Sequence, residues 1–296
     1  MSAENELAAE FEQLRPYLLR VAYSHLGTVG EAEDVVQEAW LRLERTGRAE
    51  IRDLRAWLTT VVARLAIDAL TSARARREQY VGMWLPEPLV ATGRADEDLA
   101  DRVSLDESVS MALLVVLEAL TPPERSAFLL HDVFGYSFEQ IADIVGRSPQ
   151  ATRQLAARAR RHVEAGRPRF PATAAQQRQL LEAFVSAASS GDIDALLALL
   201  DPQVEYRSDG GGRVAAVAQV VRGAERVATM LAAMAAHYRG VVEAAVVEVN
   251  GAPGLLVEGG GELSVVALTV DAGRVRAIDV IRNPDKLRHL PVERLR

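Results

Sequence analysis

Apolar side chains recur three and four positions apart through the first part of the chain. Stripes of this kind run over residues 14–22, 35–43 and 57–69, and each predicts an amphipathic helix with one buried face. A polar stretch, residues 46–53, separates the second helix from the third. The pattern therefore predicts a helical domain over residues 5–77.

The helical spacing stops at residue 78 and resumes at about residue 105. Pro86, Pro88 and an acidic run lie between these positions, which indicates a linker over residues 78–104. Helical spacing then continues to Gly166, where several prolines follow. We therefore predict a second helical domain over residues 105–166.

Residues 137–163 have the pattern of two short helices joined by a tight turn. Ser137, with a glutamine three residues later, predicts a capping box at the start of the first helix. Gly146 suits the left-handed backbone that ends a helix. Ser148 can cap the second helix, and Pro149 suits its first position. This arrangement predicts a helix-turn-helix.

The second of these helices is rich in arginine. Arg153, Arg158, Arg160 and Arg161 project from it, and Arg147 lies at its start. Because the whole chain has a formal net charge of -7, contact with nucleic acid has to come from a local basic patch such as this one. An ordinary amphipathic helix pair with a solvated basic face is the alternative interpretation.

The pattern changes after residue 172. Helical spacing covers residues 174–189, 193–200 and 224–237. Short β-like runs occupy residues 204–208, 214–220, 241–249, 254–258, 264–270 and 275–282. The Asp271-Ala272-Gly273 turn predicts a hairpin between the last two runs. Residues 172–290 are thus expected to form one α+β domain.

Composition narrows the chemistry. The chain of 296 residues has no cysteine, which excludes disulfides, thiolate metal sites and a cysteine nucleophile. No apolar run is long enough to span a membrane, and the first residues have no secretory pattern. We expect a cytoplasmic protein that does not contact the membrane, with no metal and no cofactor.

Three segments of the helical part resemble a known family. They are AEDVVQEAWLRL (residues 32–43), LRAWLTTVVARLAIDAL (54–70) and LTPPERSAFLLHDVFGYSFEQIADIVG (120–146). In this order and at this spacing, they resemble regions 2 and 4 of a group IV, or extracytoplasmic-function (ECF), sigma factor. Such a subunit gives bacterial RNA polymerase its promoter specificity.

The remainder of the chain resembles a SnoaL-like domain of the NTF2-like fold. Its motifs are WLPEPL (residues 84–89), DGGG (209–212) and NPDKL (283–287), which are similar to those of the sigma-J-like, or ECF41, branch. The fold class implied is two all-α sigma domains followed by an α+β cone. The implied domains are region 2 at 5–77, a linker at 78–104, region 4 at 105–166 and a regulatory domain at 172–290.

The resemblance implies that the chain binds bacterial core RNA polymerase and promoter DNA. It assigns the −35 element to region 4, at Arg147, Ser148, Gln150, Arg153, Gln154, Arg158, Arg160 and Arg161. Most relatives have Ser-Arg-Leu where this chain has Gln154-Leu155-Ala156, so the resemblance does not carry over a −35 sequence. Gln154 could pair bidentately with adenine.

Region 2 is expected to hold the −10 element and the polymerase. The −10 candidates are Arg48, Arg52, Asp53, Trp57, Arg64, Arg74, Arg76 and Arg77. Trp57 could stack on a base or lie in the core. The polymerase candidates are Asp34, Gln37, Glu38, Trp40 and Arg42, for which a solvated charged face is the alternative.

The C-terminal domain is expected to regulate the sigma core in cis, and its cone leaves room for a small ligand. The residues expected at the contact between regulator and core are Trp84, Leu85, Pro86, Glu87, Pro88, Asp209, Gly210, Asn283, Pro284, Asp285, Lys286 and Leu287. Related folds include enzymes with a carboxylate base. The candidates here, Asp192, Glu205, Asp209, His237 and Asp279, have no spacing peculiar to catalysis, so we expect no enzyme. A SnoaL-like enzyme carrying a DNA-binding module is the alternative function.

Overall fold

The computed structural model describes residues 3–78, 80–91, 109–166, 172–238, 240 and 242–290. They form two compact units. The helical unit contains the described residues of 1–78, 100–109 and 113–167, and the sheet unit contains those of 79–99, 110–112 and 168–296.

The first half of the helical unit is a three-helix bundle. Its helices are α1 Ala3–Leu26, α2 Val29–Thr46 and α3 Leu54–Glu78, with a single 3₁₀ turn at Arg48–Glu50 before α3. Their apolar stripes meet in a core that contains Leu18, Val36, Leu43 and Leu58. The helices predicted over residues 5–77, with a break at 46–53, are therefore confirmed.

The second half of the helical unit consists of four helices and one wider, π-helical turn. They are α4 Met111–Leu117, of which residues 113–117 belong to this unit, α5 Pro122–Phe128, the π turn Leu129–Val133, α6 Phe138–Val145 and α7 Pro149–Gly166. Leu113, Leu117, Phe128 and Val163 share one buried cluster. This cluster packs α4 and α5 against α7, the second helix of the helix-turn-helix.

The helix-turn-helix forms for the local reasons that the sequence indicates. Ser137 Oγ accepts from the Gln140 amide at 3.3 Å, and Gln140 Oε1 accepts from the Ser137 amide at 3.0 Å. Gly146 ends α6 with a φ of 64°, a left-handed conformation that is easiest without a Cβ. Ser148 Oγ accepts from the Ala151 amide at 3.2 Å at the start of α7.

The two halves of the helical unit pack against each other. Arg125 of α5 is 3% exposed, and its Nη1 donates to the His25 carbonyl oxygen of α1 at 2.6 Å. Its Nε and Nη2 both donate to the Leu117 carbonyl oxygen, at 3.1 and 2.7 Å. Ala63 of α3 lies in one cluster with Ile141 of α6. The two helical domains expected from the sequence therefore form one compact body.

The sheet unit is a seven-stranded sheet with three helices. The helices are α8 Ala174–Ser190, α9 Ile193–Leu199 and α10 Ala224–His237. The strands are β1 Val90–Ala91, β2 Leu200–Asp209, β3 Val221–Arg222, β4 Val242–Val249, β5 Ala252–Gly259, β6 Glu262–Asp271 and β7 Arg274–Ile281. Their order is β1-β4-β5-β6-β7-β2-β3, and β2 is parallel to β7 while the other neighbours are antiparallel.

The helices pack on one face of this sheet. Phe184 of α8, Leu196 of α9 and Val227 of α10 share a buried cluster with Tyr206 and Ile278 of the sheet. Register shifts in the β2–β7 and β6–β7 pairs interrupt the ladder, and such bulges bend strands. The result is the α+β domain that the sequence pattern predicted.

Two predictions about this unit were wrong. Residues 214–220 form bends and irregular backbone, and the strand is only Val221–Arg222. This strand is short because it pairs with two residues of β2, Glu205 and Tyr206. Residues 80–91, placed in a linker by the sequence, belong to the sheet unit, where β1 pairs with β4.

Among the described residues, no helix combines the length and the apolar character needed to cross a membrane.

Candidate nucleic-acid interface and regulatory cluster

One face of α7 is apolar and buried, and the other is polar. Thr152, Ala156, Ala159 and Val163 are the buried residues. The polar face, with the residues just before it, contains all the −35 candidates, and we call it the α7 face: Arg147, Ser148, Gln150, Arg153, Gln154, Arg158, Arg160 and Arg161. All of them are exposed except Arg160, which is half-buried.

Three arginines of the α7 face are bound to carboxylates of neighbouring helices and turns. Arg158 Nε lies 2.9 Å from Glu124, and Arg160 Nη2 lies 2.7 Å from Asp132. Arg153 Nη2 pairs with Glu139 at 2.8 Å. Such exposed pairs contribute about 0 to 1 kcal/mol, so a DNA phosphate could replace the carboxylate at little cost.

The pair between Arg158 and Glu124 affects the pKa of Glu124. Burial alone would raise the pKa of Glu124, but hydrogen bonds from Arg158 and Thr121 outweigh burial and lower it. The carboxylate is thus held in its charged form. Glu124 also accepts from the Thr121 hydroxyl at 2.7 Å at the start of α5, so its position is fixed without Arg158.

The −10 candidates have different environments. Arg48 donates to Glu10 at 2.9 Å and to the Ile51 carbonyl at 2.6 Å. Arg52 is exposed, and Asp53 caps α3 through the Ala56 amide at 3.0 Å.

Trp57 is half-buried, which fits neither a core tryptophan nor a fully exposed one. Arg64 donates to the Asp143 carbonyl oxygen of α6 at 2.8 Å, so this candidate is bound to the helix-turn-helix. Arg74, Arg76 and Arg77 lie in α3, but their side chains are outside the described part of the chain.

The polymerase candidates lie on α2 beside a groove. Asp34, Gln37 and Arg42 are exposed, and Glu38 and Trp40 are half-buried. The Trp40 ring packs on Phe11 of α1, with the ring centroids 4.9 Å apart. These two rings, with Asp34 and Gln37, line a cavity of about 440 Å³ between α1 and α2. The groove between α1 and α2 is therefore lined by both aromatic and polar side chains.

The three C-terminal motifs meet around one buried carboxylate. Asp209 is 0% exposed, and it accepts hydrogen bonds from four groups. They are the Tyr80 hydroxyl at 2.6 Å, the Leu85 amide at 2.9 Å, the Gly211 amide at 3.0 Å and Lys286 Nζ at 2.6 Å. WLPEPL, DGGG and NPDKL are thus joined within the sheet unit.

Lys286 is the only lysine in the sequence, and it is 6% exposed. Besides Asp209, its ammonium group donates to the Leu85 carbonyl oxygen. It also lies 4.1 Å from the centroid of the Trp84 ring, within range of a cation–π interaction. The buried charge therefore has a carboxylate, a carbonyl oxygen and an aromatic face as partners.

Asn283 connects the last motif to the same group. Its Nδ2 donates to the Tyr80 hydroxyl at 2.8 Å, and its Oδ1 accepts from the Asp285 amide at 3.0 Å. Burial and the hydrogen bond to Asp209 raise the pKa of Tyr80, so the phenol stays protonated and continues to donate. We call Tyr80, Trp84, Leu85, Asp209, Asn283 and Lys286 the Asp209 cluster.

The other regulatory candidates surround this cluster. Pro86, Pro88, Gly210 and Leu287 are buried, Glu87 is half-buried, and Pro284 and Asp285 are exposed. The sequence analysis missed two residues here, Tyr80 and Asn250. Asn250 Oδ1 accepts from the Leu89 amide at 3.0 Å. Its Asn-Gly dipeptide is a strong hairpin signal, which could have located the turn but not the contact with Leu89.

Most of the candidate acid/base residues are bound by other groups, and Arg207 lies between two of them, Glu205 at 3.6 Å and Asp279. Asp192 caps α9 through the Ala195 amide, and Glu205 pairs with Arg222 at 2.8 Å. Asp279 is bound by Arg207 at 2.6 Å. Burial raises the pKa of Asp279 and outweighs the opposite effect of Arg207. His237 is exposed at the end of α10, and Asp209 belongs to its cluster.

Comparison with known proteins defines the class of this chain. Residues 11–76 match the family model Sigma-70 region 2, and residues 110–163 match Sigma-70, region 4. The ECF RNA polymerase sigma factor SigJ of Mycobacterium tuberculosis is 40% identical over 97% of this chain and 95% of its own length. The probable ECF RNA polymerase sigma factor SigI of the same species is 38% identical over 99% of both chains.

A solved structure agrees over the same length. The crystal structure of M. tuberculosis SigJ matches with a TM-score of 0.80 at 37% identity, over 97% of this chain and 100% of that one. The chain is therefore a transcription initiation factor of the sigma-70 class. It belongs to the ECF RNA polymerase sigma factor family and carries the α+β sheet unit fused to its sigma regions. The resemblance and the fold class given above are confirmed.

Proposed function

We propose that the helical unit binds core RNA polymerase through α2, reads the −35 element with the α7 face and holds the −10 element with residues 46–77. The sheet unit modulates this activity in cis. The observation that carries the proposal is the α7 face, where exposed arginines surround two exposed glutamines, Gln150 and Gln154. Arginines suit phosphates, and glutamine can pair with adenine in the major groove.

The groove between α1 and α2 supports the polymerase contact. Its tilted Phe11 and Trp40 rings line the groove, with Trp40 half-buried. Asp34, Gln37 and Arg42 lie exposed on the same helix as Trp40. Interfaces are typically enriched in aromatic side chains at the centre with polar groups at the rim. A solvated charged face has no need of such an aromatic pair.

We further propose that the two halves of the helical unit separate when polymerase binds. The −10 and −35 elements are distinct positions along DNA, and Arg64, a −10 candidate, is bound to the backbone of α6. Arg125 also joins the halves through the His25 carbonyl. The two halves can bind the −10 and −35 elements together only after these contacts break. Polymerase then holds both halves, and this makes their joint binding to DNA strong.

The proposed modulation in cis rests on the segment between the two halves. After α3 ends at Glu78, residues 80–91 are bound to the sheet unit through Tyr80, Leu85 and Leu89. Anchoring this segment shortens the free chain available between α3 and α4, and so limits how far the halves move apart. Loosening the Asp209 cluster is therefore expected to change promoter output.

Transcription with purified components tests the sigma function. Core RNA polymerase and the full chain are incubated with promoter DNA selected from a random library, and run-off transcripts are measured. We expect Arg153→Ala combined with Gln154→Ala to reduce transcripts at least tenfold while retention on immobilised core polymerase is unchanged. Arg178→Ala, an exposed arginine of α8, is the matched control. Failure of the wild-type chain to bind core polymerase contradicts the proposal.

The same assay tests the modulation. Lys286→Met should alter run-off transcription by at least threefold, whereas Arg213→Ala, which removes an exposed pair with Asp285, should leave it within error. Unchanged transcription in Lys286→Met, with the fold retained by circular dichroism, contradicts modulation through this cluster and leaves the sigma function standing.

We also propose that the chain is not an enzyme and acts in the cytoplasm, on polymerase at the chromosome. The first point is supported by the arginines that bind the candidate carboxylates: Arg222 and Arg207 bind Glu205, and Arg207 also binds Asp279. An enzyme would need a free base beside its substrate. Turnover of any small molecule by the full chain in the absence of polymerase would contradict it.

A further inference from the structure

The sheet unit contains a cavity where the resemblance left room for a small ligand, and the proposed function does not use it. Its volume is about 340 Å³, within the range of small-molecule sites. Helices α8 and α10 cover one side with Phe184 and Leu231, and the sheet forms the other side with Leu255 and Val280. The wall is mostly apolar, so burying an apolar molecule there would be favourable.

A few polar groups converge at the wall of the cavity. Arg282, Glu262 and Tyr206 all line it. Arg282 Nη2 donates to Glu262 at 2.6 Å, and Nη1 donates to the Ala215 carbonyl oxygen at 2.6 Å. The guanidinium is 14% exposed, and its buried Nε has no hydrogen-bond partner among the described residues.

These groups indicate which polar atom a ligand should carry. Because Glu262 already balances the charge of Arg282, the site does not require an anion. The Nε–H of Arg282 is a donor without an acceptor, and such a buried group is costly unless an acceptor arrives. Burial raises the pKa of Tyr206, so its phenol remains a neutral hydroxyl that can donate as well.

We propose that this cavity binds a small, largely apolar molecule with one acceptor oxygen, such as a hydroxyl, carbonyl or carboxylate, placed against Tyr206 and Arg282. The molecule is bound, not converted. Asp209 and Asp279, the two buried carboxylates among the acid/base candidates, do not line the cavity. Glu262, which does line it, is held by Arg282.

The geometry of β7 explains this separation. Side chains alternate across a strand, and Ile278, Val280 and Arg282 face the cavity. Asp279 therefore lies on the opposite face, with Arg207. Strand β7 thus directs apolar side chains and the Arg282 donor into the cavity, and the Asp279 carboxylate to the opposite face.

Three ten-carbon probes test the proposal by calorimetric titration of the full chain below their micelle concentrations. Decan-1-ol and decanoate carry an acceptor oxygen, and decyltrimethylammonium carries a charge without one. We expect the first two to bind and the third to bind at least tenfold more weakly, because its charge would be buried unpaired. If no probe binds, or if all three bind alike, the proposal is overturned.

Two variants locate the bound probe. Ala235→Phe places a ring in the cavity from α10 and should weaken decan-1-ol binding more than tenfold. Ala233→Phe, on the exposed face of the same helix, is the matched control and should bind as the wild type does. Tyr206→Phe keeps the shape and should weaken binding about threefold to tenfold. Wild-type affinity in Ala235→Phe or Tyr206→Phe, with circular dichroism unchanged, overturns the assignment.

Any regulatory effect of this ligand rests on the proposed function, but its binding does not. Titration is carried out without polymerase or DNA, so failure to bind the probes leaves the transcription results unaffected. Conversely, a chain that binds decan-1-ol but does not bind core polymerase would retain the site and contradict the sigma function.

Discussion

The α7 face and the Asp209 cluster both depend on ion pairs, but they place them in different surroundings. The side chains of Arg158 and Arg160 are 49% and 42% exposed. Those of Lys286 and Asp209 are 7% and 0% exposed. Separations are nearly equal, 2.9 and 2.7 Å against 2.6 Å. Distance alone therefore does not distinguish the two regions.

Burial decides what each pair can do. At the surface, water screens the attraction and competes for both partners, so the arginines can exchange a carboxylate for a phosphate. In the interior, each charge has lost its hydration and depends on its partners. The α7 face can therefore exchange its ion pairs at little cost, as its proposed role requires, whereas the Asp209 cluster holds its segments in place.

Removing the carboxylate of the Asp209 cluster is expected to give the largest effect. Asp209→Asn leaves the Lys286 ammonium buried without a counter-charge and should lower the free energy of unfolding by about 3 to 5 kcal/mol. Urea unfolding of the full chain, followed by circular dichroism, measures the change.

Removing the lysine instead of the carboxylate tests which buried charge determines the cost. Lys286→Met should cost less than Asp209→Asn, since Asp209 keeps the Tyr80 hydroxyl and the Leu85 and Gly211 amides as donors. Equal losses in the two variants would mean that the pair, and not the unpaired ammonium, determines the cost.

His25 is a buried titratable group of the helical unit, and its effect on stability depends on pH. Burial lowers the pKa of His25 from 6.5 to about 4, against a hydrogen bond to the Val21 carbonyl, and nearby Arg125 lowers it further. Between these pH values the unfolded chain binds more protons, so stability falls as the pH falls from 6.5 to 4. The total loss is about 3 kcal/mol.

Thermal unfolding at a series of pH values checks this expectation. His25→Leu should remove most of the slope between pH 6.5 and 4. Burial also lowers the pKa of His289 in the sheet unit, so His289→Gln is needed to separate the two contributions. A slope in His25→Leu as steep as in the wild type would contradict the assignment.

The helical unit could be predicted from sequence because its determinants are local. The Ser137 capping box, Gly146 and Pro149 act within one or two turns, and the structure has α6 and α7 where these residues predict them. Residues 80–91 could not be assigned in the same way. They are extended, and Tyr80 finds its partner Asp209 only 129 residues later.

The candidate sites also differ in how far the sequence predicts them. The resemblance grouped Trp84, Asp209 and Lys286, but nothing in their spacing indicates that the charge is buried or that Tyr80 completes the group. The roles of the α7 face and of α2 stay predictions, because exposure is compatible with both DNA binding and a solvated surface. Only the transcription assays separate these interpretations.

A glycine in each unit tests whether the Asp209 cluster is as rigid as its burial suggests. Gly211 has a φ of 63°, and a Cβ there would collide with the Asn283 side chain. Gly211→Ala should therefore cost about 1 to 3 kcal/mol. Gly30 of α2 has no atom near its would-be Cβ, so Gly30→Ala should be neutral or stabilise by about 1 kcal/mol. Urea midpoints measure both, and equal midpoints would indicate a cluster that yields easily.

The smallest effects on stability are expected at the α7 face. Arg158→Ala and Arg160→Ala should each change the free energy of unfolding by less than about 1 kcal/mol, because both arginine side chains are exposed and water screens their pairs. Each should nevertheless lower the slope of log affinity against log salt by about 1 for promoter DNA bound with core polymerase. Arg222→Ala, which removes the exposed pair with Glu205 in the sheet unit, should match them in stability and leave the salt slope unchanged. If Arg158→Ala destabilised the chain by more than about 2 kcal/mol, its pair with Glu124 would be structural, and the contrast between the two regions would fail at that position.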